Sequence, residues 1–305
     1  MAKVKVAKLK RRYKSTGGEK VRETKKKRIS RSKVGDFLIV LMLTAMGIFM
    51  ALPLVLAVAN SIKPLEEIFI FPPRLIRVIN PTFDNFRQLF KLSSSLWVPF
   101  SRYIFNSVFV SVTVTFFHIL FAAMCAFPLA KGRFPGRKAI STTIQMALLF
   151  NGGTLAIPIY MVMATLRLVD TYWALILPAI AGSLGLFLMQ QFMVQIENET
   201  LESARIDGAS EMQIFWKIVM PLVKPAWLTL LIFSFKDIWN ATGTSYIYSE
   251  ELKMLPTALN QIITGGIARQ GVGAAAAVVM LIPPIIVFII SQSNVIETMS
   301  YSGIK

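Results

Sequence analysis

ESARIDGASEMQIFWKIVMPLVKP, residues 202–225, is charged and aromatic, yet it lies between two long apolar runs. Met212, Phe215, Trp216 and Val219 recur at i, i+3, i+4 and i+7, while Ser210, Glu211, Gln213 and Lys217 take the other face. That spacing is the pattern of an amphipathic helix, too short and too polar to cross a bilayer. It is expected to end before Pro221 and Pro225, because proline lacks an amide donor and crowds the preceding turn. Upstream, Glu199 to Ile206 reads as another short helix. Between the two, Asp207 can accept backbone N–H bonds at a helix start, and Gly208 tolerates the dihedrals of a sharp turn. The stretch therefore reads as helix, turn, helix. Periodicity alone serves equally for a helix resting on lipid headgroups.

The flanking runs decide the fold class. The chain has 305 residues, 54% of them hydrophobic and only 16% charged, with a mean hydropathy of +0.59. That composition is too apolar for an ordinary soluble domain. A crossing needs about 20 mostly apolar residues. Six such windows fall at roughly 37–59, 104–129, 140–165, 172–194, 226–247 and 272–293. The expectation is an all-α polytopic membrane protein with six transmembrane helices.

The net charge of +17 is concentrated at one end: residues 1–34 hold 15 Lys or Arg against two Glu, which is +13 and leaves +4 for the rest. A basic tail beside a membrane reads as a disordered segment near anionic headgroups rather than as a nucleic-acid site. It is too long and too basic for the leading segment of a cleaved signal peptide. The organisation expected is a tail over 1–36 and a membrane domain over 37–305, with its longest inside loop at 195–225. Placing both termini in the cytoplasm puts 23 Lys or Arg inside and nine outside, as the charge bias of membrane proteins requires. The short loop KGRFPGRK, 131–138, supports the same orientation independently. Cys125 is the one cysteine, so no internal disulfide or cysteine-based metal site can form.

The loop resembles the cytoplasmic signature of inner-membrane permease subunits of ATP-binding cassette importers. Glu202-Ser203-Ala204 stands where that family has Glu-Ala-Ala, followed by Asp207-Gly208 and, nine residues further, Ile218-Val219-Met220-Pro221. Ser203 and Met220 depart from the pattern by small changes of volume. The carbohydrate branch, and the second permease of a maltose-type pair in particular, has counterparts along the rest of the chain. Leu52-Pro53, Ser61-Ile62-Lys63-Pro64 and Pro81-Thr82-Phe83-Asp84-Asn85-Phe86 are among them. Others are Asn106-Ser107, Asp170-Thr171, Phe187 to Phe192, Trp239-Asn240 and Leu255-Pro256. The resemblance covers about residues 37–305.

It implies a transporter subunit, not an enzyme. There is no GxxxxGK[ST] run to cradle nucleotide phosphates, so ATP and Mg would sit on a partner and this chain would hold no cofactor. The implied partners are a homologous second permease, two ATPase subunits, an extracytoplasmic solute-binding protein and membrane lipid, with no nucleic acid. The short helix after Gly208 would seat in the ATPase, with Glu202, Ala204, Asp207, Gly208, Met212, Phe215, Trp216 and Pro221 forming the coupling element. No catalytic or metal-binding residues are expected.

Polar groups and backbone irregularity shielded from lipid mark candidate substrate contacts. These are Asn106, Gln145, Asn151 with its neighbouring glycines, Ser183, Trp239 and Asn240. The solute expected is a sugar, foremost an oligosaccharide, with a polyol or glycerol phosphate as the alternative. An ion-coupled secondary transporter would use buried carboxylates, and Asp237 is the one deep in a crossing. A serine protease pairing Ser183 with His118, the only histidine, lacks the GxSxG pattern because residue 181 is Ala; His118 fits packing or a helix–helix hydrogen bond better.

Overall fold

The computed structural model describes residues 33–71, 74–94, 98–150, 152–242, 246–264 and 266–302, in which helices dominate and no strand occurs. In chain order the main helices are α1 (Lys33–Ser61), α2 (Asp84–Ser94), α3 (Phe100–Lys131), α4 (Arg137–Ala147), α5 (Gly152–Thr165) and α6 (Tyr172–Ile180). There follow α7 (Ser183–Val194), α8 (Asn198–Ile206), α9 (Glu211–Leu222), α10 (Lys224–Trp239), α11 (Leu255–Ile263) and α12 (Gln270–Ser302). The chain divides into two compact units after Pro53. The first holds α1 as far as Pro53, and the second begins at Leu54, within the last turns of that helix.

Four helices among the described residues are long and apolar enough to cross a membrane: Val34–Ser61, Phe100–Lys131, Tyr172–Val194 and Gln270–Gln292. A fifth is obtained if α9 and α10, bent by 75°, count as one broken span. Two of the six expected windows need correction. The third, 140–165, is two short helices, with the first interrupted at residues 148–150. The fifth, 226–247, is helical only to Trp239, where Asn240 closes α10 by donating its amide back to the Lys236 carbonyl at 2.8 Å.

The second unit is built around α3, which packs against α6, α7 and α10, while α12 packs against α2, α10 and α11. Ala122, Ala123, Ala126 and Ala130 give α3 a buried face without bulk, so neighbouring backbones approach closely, as helix packing in lipid favours. Met189, Met193, Ala226 and Leu230 fill the space beside it. At the opposite end of α3 a second cluster gathers Tyr103, Leu89, Trp239, Leu259 and Val272.

Helix ends and breaks leave carbonyls without intrahelical donors, and side chains from other elements serve them. Arg137 donates to Leu129, Ala130 and Gly132 carbonyls at 2.7, 2.8 and 3.0 Å, closing the end of α3. Lys131 donates to the carbonyls of Val194, at 3.1 Å, and Ile196, closing α7. Pro284 has no N–H to offer the Met280 carbonyl one turn earlier; the Trp239 indole donates to it instead, at 3.0 Å. The break between α6 and α7 frees the Ile180 carbonyl, which lies 2.7 Å from Nδ1 of buried His118. That acceptor fixes the ring proton on Nδ1.

Two sequence stretches about twenty residues apart meet in the segment following α1. Asn85 donates to the carbonyls of Ser61 and Lys63 at 3.0 and 2.7 Å, and the Thr82 amide to Ile62 at 2.8 Å. Buried Lys63 donates to the Arg74 and Leu75 carbonyls, and buried Glu67 accepts from the Ile79 and Asn80 amides. Each buried charge is thus held by backbone dipoles and not by an opposite charge.

The GSLG stretch, 182–185, owes its glycines to His118. A Cβ on Gly185 would stand 2.2 Å from Nε2, and one on Gly182 2.6 Å from Cε1. Gly185→Ala should therefore lower thermal stability in detergent by about 1–3 kcal/mol, the usual cost of overpacking. Adding His118→Ala should recover part of that loss, and strictly additive losses in the double variant would refute this packing account.

Candidate functional site

The residues singled out around 202–225 come together at one end of the second unit. α8 ends in a Schellman motif: the Ala209 amide donates to the Ala204 carbonyl and the Gly208 amide to Arg205, both at 3.0 Å. Gly208 supplies the left-handed residue this cap requires, with φ of 83°. Asp207 closes α8 and does not open the next helix, which corrects the role expected for it. The opening of α9 belongs to Ser210, whose hydroxyl accepts from the Gln213 amide at 3.3 Å while the Gln213 side chain accepts from the Ser210 amide at 2.9 Å. This reciprocal capping box was legible as Ser-x-x-Gln in the sequence.

The helix also continues past Pro221, contrary to expectation. Phe215–Val219 forms a π turn closed by Met220 N–H to Phe215 C=O. The wider turn departs from the ordinary bonding ladder just ahead of the proline that would interrupt it. Only Val223 separates α9 from α10, and Pro225 sits harmlessly in the first turn of α10.

The four-residue apolar face divides in two. Phe215 and Val219 are buried, joined by Ile214, and pack with Leu201, Met193 and Ala126; Phe215 meets the Phe127 ring at 5.7 Å. Met212 and Trp216 stay 57% and 47% exposed, and Ile206 at the end of α8 is 85% exposed. These three large apolar side chains are left uncovered by the chain's own core, and a polar groove lies between α8 and the ends of α3 and α7. The groove, about 460 Å³, is lined by Lys131, Arg133, Glu202, Arg205 and Glu211 among others. Arg205 Nε donates to Glu211 at 2.7 Å, which holds the Glu211 carboxyl below its ordinary value and the Arg205 guanidinium above its own. A carboxylate with a depressed pKa contributes its bond above the usual carboxylate range and loses it as pH falls through the lowered value. The pair is therefore intact at neutral pH.

The other expected contacts scatter. Asn106 is fully buried, donating to the carbonyls of Glu251 and Lys253 at 2.8 and 2.9 Å and accepting from the Tyr172 hydroxyl at 2.7 Å. Trp239 is buried against α12 through the bond to Met280. Gln145 is exposed on α4, Ser183 is half-buried at the start of α7, and Asn240 is exposed at the end of α10. Asn151 lies outside the described residues.

The sequence reading missed a second polar centre. Asp170, left-handed at φ 61°, accepts from the amides of Tyr248 and Ser249 at 2.9 and 2.8 Å and from the Ser249 hydroxyl. Those bonds, the Ser249 hydroxyl first, hold its carboxyl below the usual aspartate value. Nearby, Glu250 takes hydrogen bonds from Tyr103, at 2.8 Å, and from Lys253. The signal available was a left-handed-tolerant Asp ahead of Thr171 in a short connection.

At Gly208 a Cβ would meet nothing within 4 Å, so a substitution acts through backbone strain alone. Gly208→Asn should leave the α8–α9 turn intact, while Gly208→Val should open it at a cost of about 1 kcal/mol or more. Amide exchange of residues 204–214 would report this, and equal protection in both variants would contradict it.

Comparison with known proteins follows the same lines. The chain is 30% identical over 294 residues to Protein LplC of Bacillus subtilis, covering 90% of this chain and 95% of that one. It is 29% identical over 261 residues to the arabinooligosaccharides transport system permease protein AraQ of Halalkalibacterium halodurans, covering 83% and 90%. Its fold matches a solved bacterial ABC transporter involved in import of the acidic polysaccharide alginate, with TM-score 0.71 at 23% identity over 86% of this chain and 98% of that one. Residues 118–301, from His118 in α3 through α12 and including the whole α8–α9 turn, match the family described as binding-protein-dependent transport system inner membrane component. The chain belongs to that family of importer permeases.

Proposed function

We propose that this chain forms one half of an alternating-access pathway for an oligosaccharide, paired with a homologous permease and driven by two ATPase subunits. A solute-binding protein delivers the sugar from outside. Six crossings are counted by letting α4–α5 and α10 each serve as one, with both termini in the cytoplasm and the α8–α9 turn facing the ATPases. The relatives named for arabinooligosaccharide transport support the choice of solute.

The carrying observation is the division of α9. Ile214, Phe215 and Val219 lock it into the bundle, while Met212 and Trp216 are presented outward with Ile206. A helix held on one side by its own core and offering apolar anchors on the other is suited to passing displacement from a partner. Ala204, Asp207 and Gly208 set its angle through the α8 cap, with Glu202 one turn earlier on α8 beside the groove. Pro221 lies where the bend towards α10 begins.

An exposed tryptophan at the centre of an interface typically dominates its energetics. Trp216→Ala should weaken ATPase assembly by about 2 kcal/mol, roughly thirty-fold in dissociation constant, and uncouple sugar uptake from ATP hydrolysis in proteoliposomes. Normal ATPase affinity and uptake in that variant would refute the assignment.

A further inference from the structure

α2 carries a face of rings and positive charges that the core leaves uncovered. The helix turns Asn85, Leu89 and Ser93 inward. Phe83, just ahead of it, and Arg87, Phe90 and Lys91 stand at i, i+4, i+7 and i+8 on the outward side, all exposed. Phe83 is 77% exposed and Phe90 56%. The exposed charges of residues 60–94 are Arg74, Arg77, Arg87 and Lys91 against Glu66 and Asp84, so the surface is basic. Asp84 lies 3.8 Å from Arg87 and offsets part of its charge, while Lys91 has no carboxylate of α2 near its end of the helix.

Packing fixes the depth of this face. Leu89 clusters with Tyr103 of α3 and Val272 of α12, and Asn85 lies so close to Gly271 that a Cβ there would stand 2.4 Å from its Oδ1. α2 is therefore seated on the first turns of two helices long and apolar enough to cross a membrane. The 32 residues of α3 reach about 48 Å, and a hydrocarbon core of about 30 Å leaves about 9 Å of a centred helix outside at each end. Tyr103, in the first turn of α3, falls in that margin. So does α2, which places its exposed rings at the level of lipid headgroups and not in bulk water.

On the topology proposed above this end of α3 is the outer one, where Lys and Arg are disfavoured. Their concentration there calls for a negative counterpart. Phenyl rings interleaved with basic groups on one helical face are the composition of helices that lie in the interface of an anionic bilayer. Resting on that topology, we infer that Phe83, Arg87, Phe90 and Lys91 dock α2 on anionic phospholipid of the outer leaflet. The two rings enter the boundary between headgroups and acyl chains. The Arg87 fork takes two phosphate oxygens, and Lys91 supplies a point charge to a neighbouring headgroup. Because Asn85 ties α2 to the carbonyls of Ser61 and Lys63, bound headgroups would steady the outer ends of α1, α3 and α12 together.

The test uses the complete importer, with Cys125→Ser removing the one thiol of this chain and the other subunits free of cysteine. Nitroxides are attached at Phe83→Cys and, separately, Phe90→Cys in nanodiscs of phosphatidylcholine with and without phosphatidylglycerol. With phosphatidylglycerol present, both labels should collide with oxygen more than with a water-soluble nickel chelate. Lys91→Gln should lower the ratio of inserted to displaced label about fivefold, the loss of one basic residue beside an anionic surface. Omitting phosphatidylglycerol should displace the labels with no substitution at all, which keeps the outcome independent of folding. Labels reached mainly by nickel in both lipids would show a face turned to water and overturn the inference. Labels shielded from both colliders would mean that the second permease or the binding protein covers α2, with the same consequence. Insertion indifferent to phosphatidylglycerol and to Lys91→Gln would overturn the anionic recognition. Gln88→Cys in sealed right-side-out vesicles should react with an impermeant maleimide; reaction only after lysis would defeat the topology, and with it the outer leaflet.

Discussion

A peptide carbonyl left without a donor inside a bilayer costs several kcal/mol, and no water is at hand to remove that cost. This chain interrupts its helices at 148–150, at 181–182 and at Val223, and Pro283-Pro284 removes amide donors within α12. Its characteristic polar residues are found where those breaks have to be repaired. His118 serves Ile180, Trp239 serves Met280, Arg137 serves the end of α3 and Lys131 the end of α7. Two of the four cations in the loop 131–138, which by count alone argue for the membrane orientation, are thus also helix caps. A residue selected by topology and a residue selected by hydrogen bonding are here the same residue.

That repair has a mechanical consequence. Each bond ties one helix to another: Trp239 joins α10 to α12, His118 joins α3 to the α6–α7 break, and Asn106 joins α3 to the turn at 250–253. Interrupted helices that would otherwise bend independently are constrained as a group. The alanine face of α3 adds close packing without interdigitated bulk, a surface on which neighbouring helices can shift as rigid bodies. α9 enters this group through Ile214, Phe215 and Val219, so a force on Trp216 is resisted by the core beneath it and not absorbed by a loose loop.

Much of this was readable in the amino-acid order. The apolar windows locate four long helices closely, and the Glu-x-Ala…Asp-Gly spacing locates the turn between α8 and α9. Periodicity could not tell that Met212 and Trp216 point away from the surface that buries Phe215 and Val219, because a helix with two apolar partners has one continuous apolar stripe in sequence. The π turn was equally invisible, since it depends on how the segment seats against Leu201 and Ala126. Asn106 and Trp239 read as substrate contacts for a general reason: the donors that bind a sugar hydroxyl are the same donors that satisfy an orphaned carbonyl. A sharper signal existed for Trp239. Pro283-Pro284 announces free carbonyls one turn upstream, and a buried indole is a natural donor to them.

α10 continues α9 with no loop between them. The two helices are separated by Val223 alone and meet at 75°, so they act as the two arms of one bent lever. One arm carries Met212 and Trp216, and the other carries Phe233, Lys236, Asp237 and Asn240. Sixteen residues of α10 reach about 24 Å, and no flexible loop intervenes to dissipate a rotation of the first arm. The π turn and Pro221 stand just ahead of the bend, where the backbone already departs from the regular ladder and a change of angle disturbs few further hydrogen bonds. A small tilt of α9 would therefore displace these exposed residues of α10 directly. The shortest route from α9 to the exposed face of α10 runs through covalent backbone and not across a packed interface.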